Sequence, residues 1–136
     1  MSRYMQAFAN AHERAHCYND NTEFYAEYVA AADMLRTAED IDGVKSFLTL
    51  IMATRQFGST YAYQNFSDIG IAFFPHYKLE RATYRALHEY EQGVRYKDYN
   101  SILKAAQEIN WEKEVLPGEQ LKENAAYMKR LQGPRV

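Results

Sequence analysis

The stretch Tyr96 to Gln120, YKDYNSILKAAQEINWEKEVLPGEQ, decides how this chain is expected to fold. Tyr99, Ile102, Leu103, Ala106 and Ile109 recur at helical spacing and draw one apolar stripe. Asp98 falls in the first turn of that helix, where a negative charge suits the positive end of the helix dipole. Asn110 stands where a residue in the left-handed conformation would close it. Leu116-Pro117 then demands an extended residue followed by a pre-set helical one, with Glu119 in the new first turn. The stretch holds no nucleophile, metal cage or phosphate loop, and it reads as a docking surface.

Working outward, the rest of the chain repeats the helical period. Residues 3 to 17 predict a first helix with Tyr4, Phe8, Ala11 and Ala15 on one side. Asp20-Asn21-Thr22-Glu23 has the form of a capping box opening a second, in which Phe24, Tyr25, Tyr28, Val29, Ala32 and Leu35 share a face. Asp42 is placed to cap a third over Val44 to Gln56, stopped by Gly58. That helix is apolar nearly all round at Phe47, Leu48, Leu50, Ile51 and Met52, which predicts burial on several sides. Gly58, Gly70 and Pro75 mark a break, and a fourth helix follows from about Leu79 to Gln92, ended by Gly93. No run alternates as a strand. The expected class is all-α, with about five or six helices in a single domain.

The chain has 136 residues, enough for one domain with a modest core. Its formal net charge of −2 offers no basic field for nucleic acid. Twelve tyrosines and seven phenylalanines suit an aromatic core or a protein interface, since a tyrosine ring can bury while its hydroxyl stays satisfied at an edge. The lone Cys17 excludes an internal disulfide framework and fits a reducing compartment. Phe47 to Ala53 and Ile69 to Phe74 are the longest apolar runs, far short of the roughly 20 residues of a membrane span.

Three further constellations carry chemical possibilities. His12-Glu13-Arg14-Ala15-His16 is a literal H-E-x-x-H, the spacing at which two imidazoles on one helix bind zinc with the glutamate as general base. Glu27 or Glu39 would serve as third ligand, but Arg14 interrupts the pattern with a charge, and two histidines on a solvated helix face are the plainer reading. Arg81 and His88 have the outline of a phosphate-holding arginine with an acid–base histidine, yet salt-bridging among Glu80, Arg81, Arg85 and Glu89 is the expectation there. Cys17 and His76 imply nothing on their own.

The Tyr96–Gln120 pattern resembles one known family, the small matrix-side subunit of the mitochondrial cytochrome b–c1 complex (respiratory complex III), also called subunit seven or the ubiquinone-binding protein. The resemblance is carried by Tyr96, Asp98, Lys104, Ala106, Asn110, Val115, Leu116, Pro117, Glu119 and Gln120, and upstream by Tyr61 and Phe66-Ser67-Asp68-Ile69-Gly70-Ile71. It covers about residues 59 to 132 and departs at Gly118, where the family has lysine, and at Leu121, where it usually has tryptophan. It implies a division into a helical N-terminal extension, residues 1–57, and a subunit-seven-like domain, residues 58–136. It also implies a non-catalytic assembly subunit without cofactor or metal, peripheral to the inner membrane on its matrix side. Cytochrome b and the core subunits would be its partners. Tyr96, Asp98, Tyr99, Lys104, Asn110, Leu116, Pro117, Glu119 and Gln120 would make the partner contacts. The other readings the residues allow are a soluble helical adaptor or inhibitor and a small H-E-x-x-H zinc peptidase.

Overall fold

A computed structural model describes residues 2–18, 23–65 and 78–115, with the side chains of residues 2, 57–65, 112 and 115 left aside. Among these residues the fold is all-α. The helices are α1 (Ser2–Tyr18), α2 (Glu23–Arg36), α3 (Ile41–Asn65), α4 (Glu80–Glu91), α5 (Tyr99–Gln107) and the single-turn α6 (Trp111–Val115). None of them is long and apolar enough to cross a membrane.

Helix α2 is the axis of the molecule, packing against α1, α3, α4 and α5. Its sequence explains that position. Ala26, Ala30, Ala31 and Ala32 are all buried, on several sides of the helix, and their short side chains let neighbouring backbones come close. Tyr25, Tyr28, Val29, Met34 and Leu35 supply the bulk between them. Helix α1 lies antiparallel to α2, with Phe8 and Ala15 turned inward. The Phe8 ring meets Phe47 of α3 edge-on at 6.0 Å. Helix α3 contributes Val44, Phe47, Leu48 and Ile51 to the same core. Leu50 of that helix is 48% exposed, so α3 is buried along one side and not all round.

The helix ends follow local chemistry, in places by other residues than the spacing suggested. The cap of α3 is Asp40, whose Oδ1 accepts the Gly43 N–H at 3.1 Å; Asp42 lies inside the first turn. An N-cap side chain reaches the second or third helical amide, so the start at Ile41 selects Asp40. Helix α3 runs through Gly58 to Asn65. A glycine inside a helix costs only about 1 kcal/mol relative to alanine, too little to end one by itself. The expected boundary between residues 57 and 58 thus falls within a continuous helix, and one core joins α1 to α6.

Asp98 caps α5 from outside it, accepting the Ser101 N–H at 2.8 Å and the Ser101 hydroxyl at 2.7 Å. These bonds hold its carboxyl below the ordinary aspartate value. Asn110 is not left-handed; α5 ends at Gln107, and the Asn110 Oδ1 accepts the Lys113 N–H at 3.2 Å, capping α6. Helix α4 ends as expected at Gly93, whose φ of 94° is a conformation glycine adopts without a steric penalty. There the Val94 N–H donates to the Glu89 carbonyl at 2.9 Å and the Gly93 N–H to the Tyr90 carbonyl at 3.0 Å, a Schellman closure.

Candidate functional site

Two polar constructions grow from adjacent residues of α2. Glu27 and Tyr28 are both fully buried, and consecutive positions on a helix point about 100° apart, so the two side chains enter different seams.

Tyr28 enters the seam with α4 and the segment before α5. Its hydroxyl donates a short hydrogen bond to Glu89 Oε1 and lies 2.7 Å from the Tyr96 hydroxyl. Glu89 also accepts from Arg85 Nε at 3.1 Å, and Arg85 Nη1 reaches Glu114 at 2.8 Å. The chain Tyr96–Tyr28–Glu89–Arg85–Glu114 therefore links α2, α4 and α6. Burial, reinforced by Glu89 and Tyr96, pushes the Tyr28 phenol far above its ordinary value, so it remains a neutral donor. Trp111 closes the side of this network, 5.6 Å from the Tyr28 ring and stacked on Phe24 at 6.2 Å.

Above Tyr28 opens a groove of about 220 Å³. Ala32, Leu35 and Ala86 line it from within, and Tyr90, Val94, Arg95 and Tyr96 line it from α4 and the segment that follows. The Arg95 guanidinium lies over the Tyr90 ring, 3.6 Å from its centre, and Val94 is 39% exposed. The lining mixes these apolar side chains with the Glu89 carboxylate, the Tyr28 and Tyr96 hydroxyls and the guanidinium groups of Arg36 and Arg95.

Glu27 enters the seam between α1 and α3. Its Oε1 accepts from Arg55 Nη2 at 2.8 Å and lies 3.3 Å from His12 Nδ1. No group among the described residues hydrogen-bonds its Oε2. The other face of His12 meets Glu23, Nε2 to Oε2 at 2.9 Å, and His16 Nε2 lies 3.0 Å from Glu23 Oε1. The two Nε2 atoms are 3.2 Å apart. Burial opposes a charge on His12, but the Glu27 and Glu23 carboxylates outweigh it and raise the imidazole above its ordinary value.

The residues expected to meet a partner divide sharply. Tyr99 is buried in the chain's own core, 5.9 Å from the Tyr18 ring and under the Arg14 guanidinium at 4.1 Å. Burial pushes its hydroxyl up to about 12. Tyr96 is half-buried in the Tyr28 network and lines the groove. Asp98, Lys104 and Asn110 are exposed. Leu116, Pro117, Glu119 and Gln120 lie outside the described residues, as do Phe66 to Ile71 and His76.

His12 and His16 do converge, as the H-E-x-x-H spacing requires. The third carboxylate beside them is Glu23 and not Glu27 or Glu39. In an antiparallel hairpin the first turn of α2 faces the last turns of α1, whereas Glu39 follows the far end of α2, beside Tyr4. Glu13, the general base of the peptidase pattern, is exposed. Arg85 pairs with Glu89 as expected, while Arg81 lies over the Tyr84 ring at 5.2 Å and His88 stacks on the same ring at 5.9 Å. Arg55 and the Tyr28–Glu89–Tyr96 triad escaped the sequence reading. A glutamate interrupting the otherwise apolar α2 was the available signal for the first.

Comparison with known proteins gives no match: neither a family model, nor a curated protein, nor a solved structure matches this chain.

Proposed function

We propose that this chain is a non-catalytic helical subunit that works by docking to a partner protein. The groove over Tyr28 carries the reading. It combines the apolar side chains of Ala32, Leu35 and Ala86, an exposed Val94 and an Arg95–Tyr90 pair at the rim, and aromatic and arginine side chains are what protein interfaces favour at their anchoring points. Its walls are held by the hydrogen-bond chain from Tyr96 to Glu114, so a partner side chain would enter a preformed slot and meet little ordering cost.

The finer assignment is to the b–c1 complex, as an accessory subunit on the matrix side of cytochrome b that also touches the core subunits. It stands on the residue pattern of Tyr96 to Gln120 and, upstream, on Tyr61 and Phe66 to Ile71. Electron transfer would then belong to haems and an iron–sulfur centre on other chains. The test is a tagged pull-down from gently solubilised mitochondria, read by the reduced-minus-oxidised haem spectrum and repeated with Val94→Glu. Haem b and c bands with the wild type, lost with Val94→Glu, are the expected result. A partner recovered without haem would sink the complex III assignment and leave docking intact. Recovery indifferent to Val94→Glu would sink the docking role of the groove.

A further inference from the structure

We infer that His12, His16 and Glu23 form a binding site for one divalent transition-metal ion of the zinc class, which pins α1 to α2. The site is independent of the docking groove and lies in a different seam of α2.

The argument begins with the donor geometry. One ligand atom from each of the three residues lies within 4.8 Å of the others. The closest approaches are tighter: 3.2 Å between the two Nε2 atoms, 2.9 Å from His12 Nε2 to Glu23 Oε2, and 3.0 Å from His16 Nε2 to Glu23 Oε1. A tetrahedral zinc ion with metal–nitrogen bonds of about 2.0–2.1 Å places neighbouring ligand atoms about 3.3 Å apart. The two imidazole nitrogens and the Glu23 carboxylate, which meets one ring through each oxygen, therefore stand close to the separation the ion requires, with a small adjustment to bring one oxygen to both.

Protons do not satisfy the cluster as well. Each ring nitrogen carries at most one hydrogen. With a hydrogen on both Nε2 atoms, Glu23 is gripped by two donors, but those donors face each other at 3.2 Å. With a hydrogen on only one, the bare nitrogen directs its lone pair at a carboxylate oxygen. With Glu23 ionised, no placement of hydrogens on the two rings makes all three contacts favourable, whereas a single cation between the atoms does.

Glu27 adds a second, independent observation. Metal-bound histidines commonly give their remaining ring N–H to a carboxylate, which fixes the tautomer and strengthens the ligand. Glu27 is fully buried, and its Oε1 lies 3.3 Å from His12 Nδ1, on the ring edge away from Glu23. Arg55 fixes that carboxylate from the other side at 2.8 Å. A hydrogen on Nδ1 leaves Nε2 as a lone pair aimed at the cluster, the state a metal ligand needs.

Two nitrogens and one oxygen suit zinc, cobalt, nickel or copper and not magnesium or calcium. The ligand side chains are 12%, 22% and 28% exposed, so an ion can enter from solvent and a water can complete its shell. The role inferred is a clasp across the α1–α2 hairpin. Glu13 takes no part in it.

The experiment titrates chelator-treated full-length protein with cobalt(II), followed by its visible absorption, then with zinc as competitor. Saturation at one ion per chain is expected, with zinc displacing cobalt and raising the melting temperature. His16→Ala and Glu23→Gln should abolish the saturable signal while circular dichroism stays helical. Glu27→Gln should weaken binding about 10–100-fold, and Glu13→Gln should change nothing. Wild-type protein without saturable binding would overturn the inference, as would a His16→Ala variant that binds as the wild type does. If His16→Ala unfolds, Glu23→Gln and Glu27→Gln decide the matter on the same readout.

Discussion

Glu27 and Tyr28 sit side by side on α2 and are equally buried, yet the seams they enter are held in opposite ways. On the α1–α3 side, Glu27 gathers Arg55 and His12 around a carboxylate, and one of its oxygens has no hydrogen-bond partner among the described residues. On the α4–α5 side, a neutral phenol sits between Glu89 and Tyr96 with its donor and acceptor capacity used. The first seam is a charged arrangement in which one buried carboxylate faces two basic side chains. The second is a closed hydrogen-bond chain under an open groove. A buried charge is costly unless fully paired, whereas a buried hydroxyl asks for only one or two partners. The contrast accords with the ion inferred for the α1–α2 seam and the docking proposed for the α2–α4 groove.

The sharpest way to break this comparison is Glu27→Ala. It strips Arg55 and His12 of a common buried counter-charge and should cost about 3–5 kcal/mol, the range for breaking a buried ion pair. Urea denaturation would show it as a lowered midpoint. Tyr28→Phe should cost less, about 1–3 kcal/mol, because it leaves Glu89 with Arg85 but without the phenolic donor. If the two variants cost the same in parallel denaturation curves, the charged and neutral seams do not differ in kind.

Gly43→Ala probes the far end of α1. A Cβ at Gly43 would stand 2.7 Å from the Tyr4 hydroxyl and would also crowd the Asp40 cap. Overpacking of this kind costs about 1–3 kcal/mol. The better helix propensity of alanine offsets about 1 kcal/mol of that. A modest net loss in melting temperature is expected, reduced but not removed in the Tyr4→Ala background, because the Asp40 carboxylate remains against the new methyl group. Unchanged stability would mean that α1 shifts freely at this end.

The smallest effect belongs to the Asp98 cap. Its pKa is depressed in the folded chain, so its contribution is present above the ordinary aspartate range and is lost as pH falls through the folded value. Asp98→Asn should flatten that part of the acid limb of the stability–pH curve, whereas the wild type keeps it. Equal acid limbs would show that the cap contributes nothing measurable.

Much of the fold was legible because helices announce themselves locally. The Phe8 and Ala15 face of α1, the Ile102–Leu103–Ala106 stripe of α5 and the glycine stop of α4 all follow from residues within a few positions of one another. The site was legible only in part. The His12–His16 spacing placed two imidazoles on one face of α1, but their carboxylate comes from the next helix, where Glu23 reads as a capping residue. Tyr99 belongs by spacing to the apolar stripe of α5, and only the family resemblance makes it a partner contact; inside the fold it seats α5 against α1.

The all-α class, the helix register and the cap chemistry were therefore determined by the sequence itself. Each depends on the backbone conformation of neighbouring residues and on hydrogen bonds that span three or four positions. Only the tertiary structure decided that α2 and not α3 would be central, and that Glu27 would lie at the bottom of a seam. It alone brought Tyr28 to Tyr96 across half the length of the chain. Those choices turn on which helix faces fit against which others, and side-chain volume and charge settle that question only once distant segments are in contact.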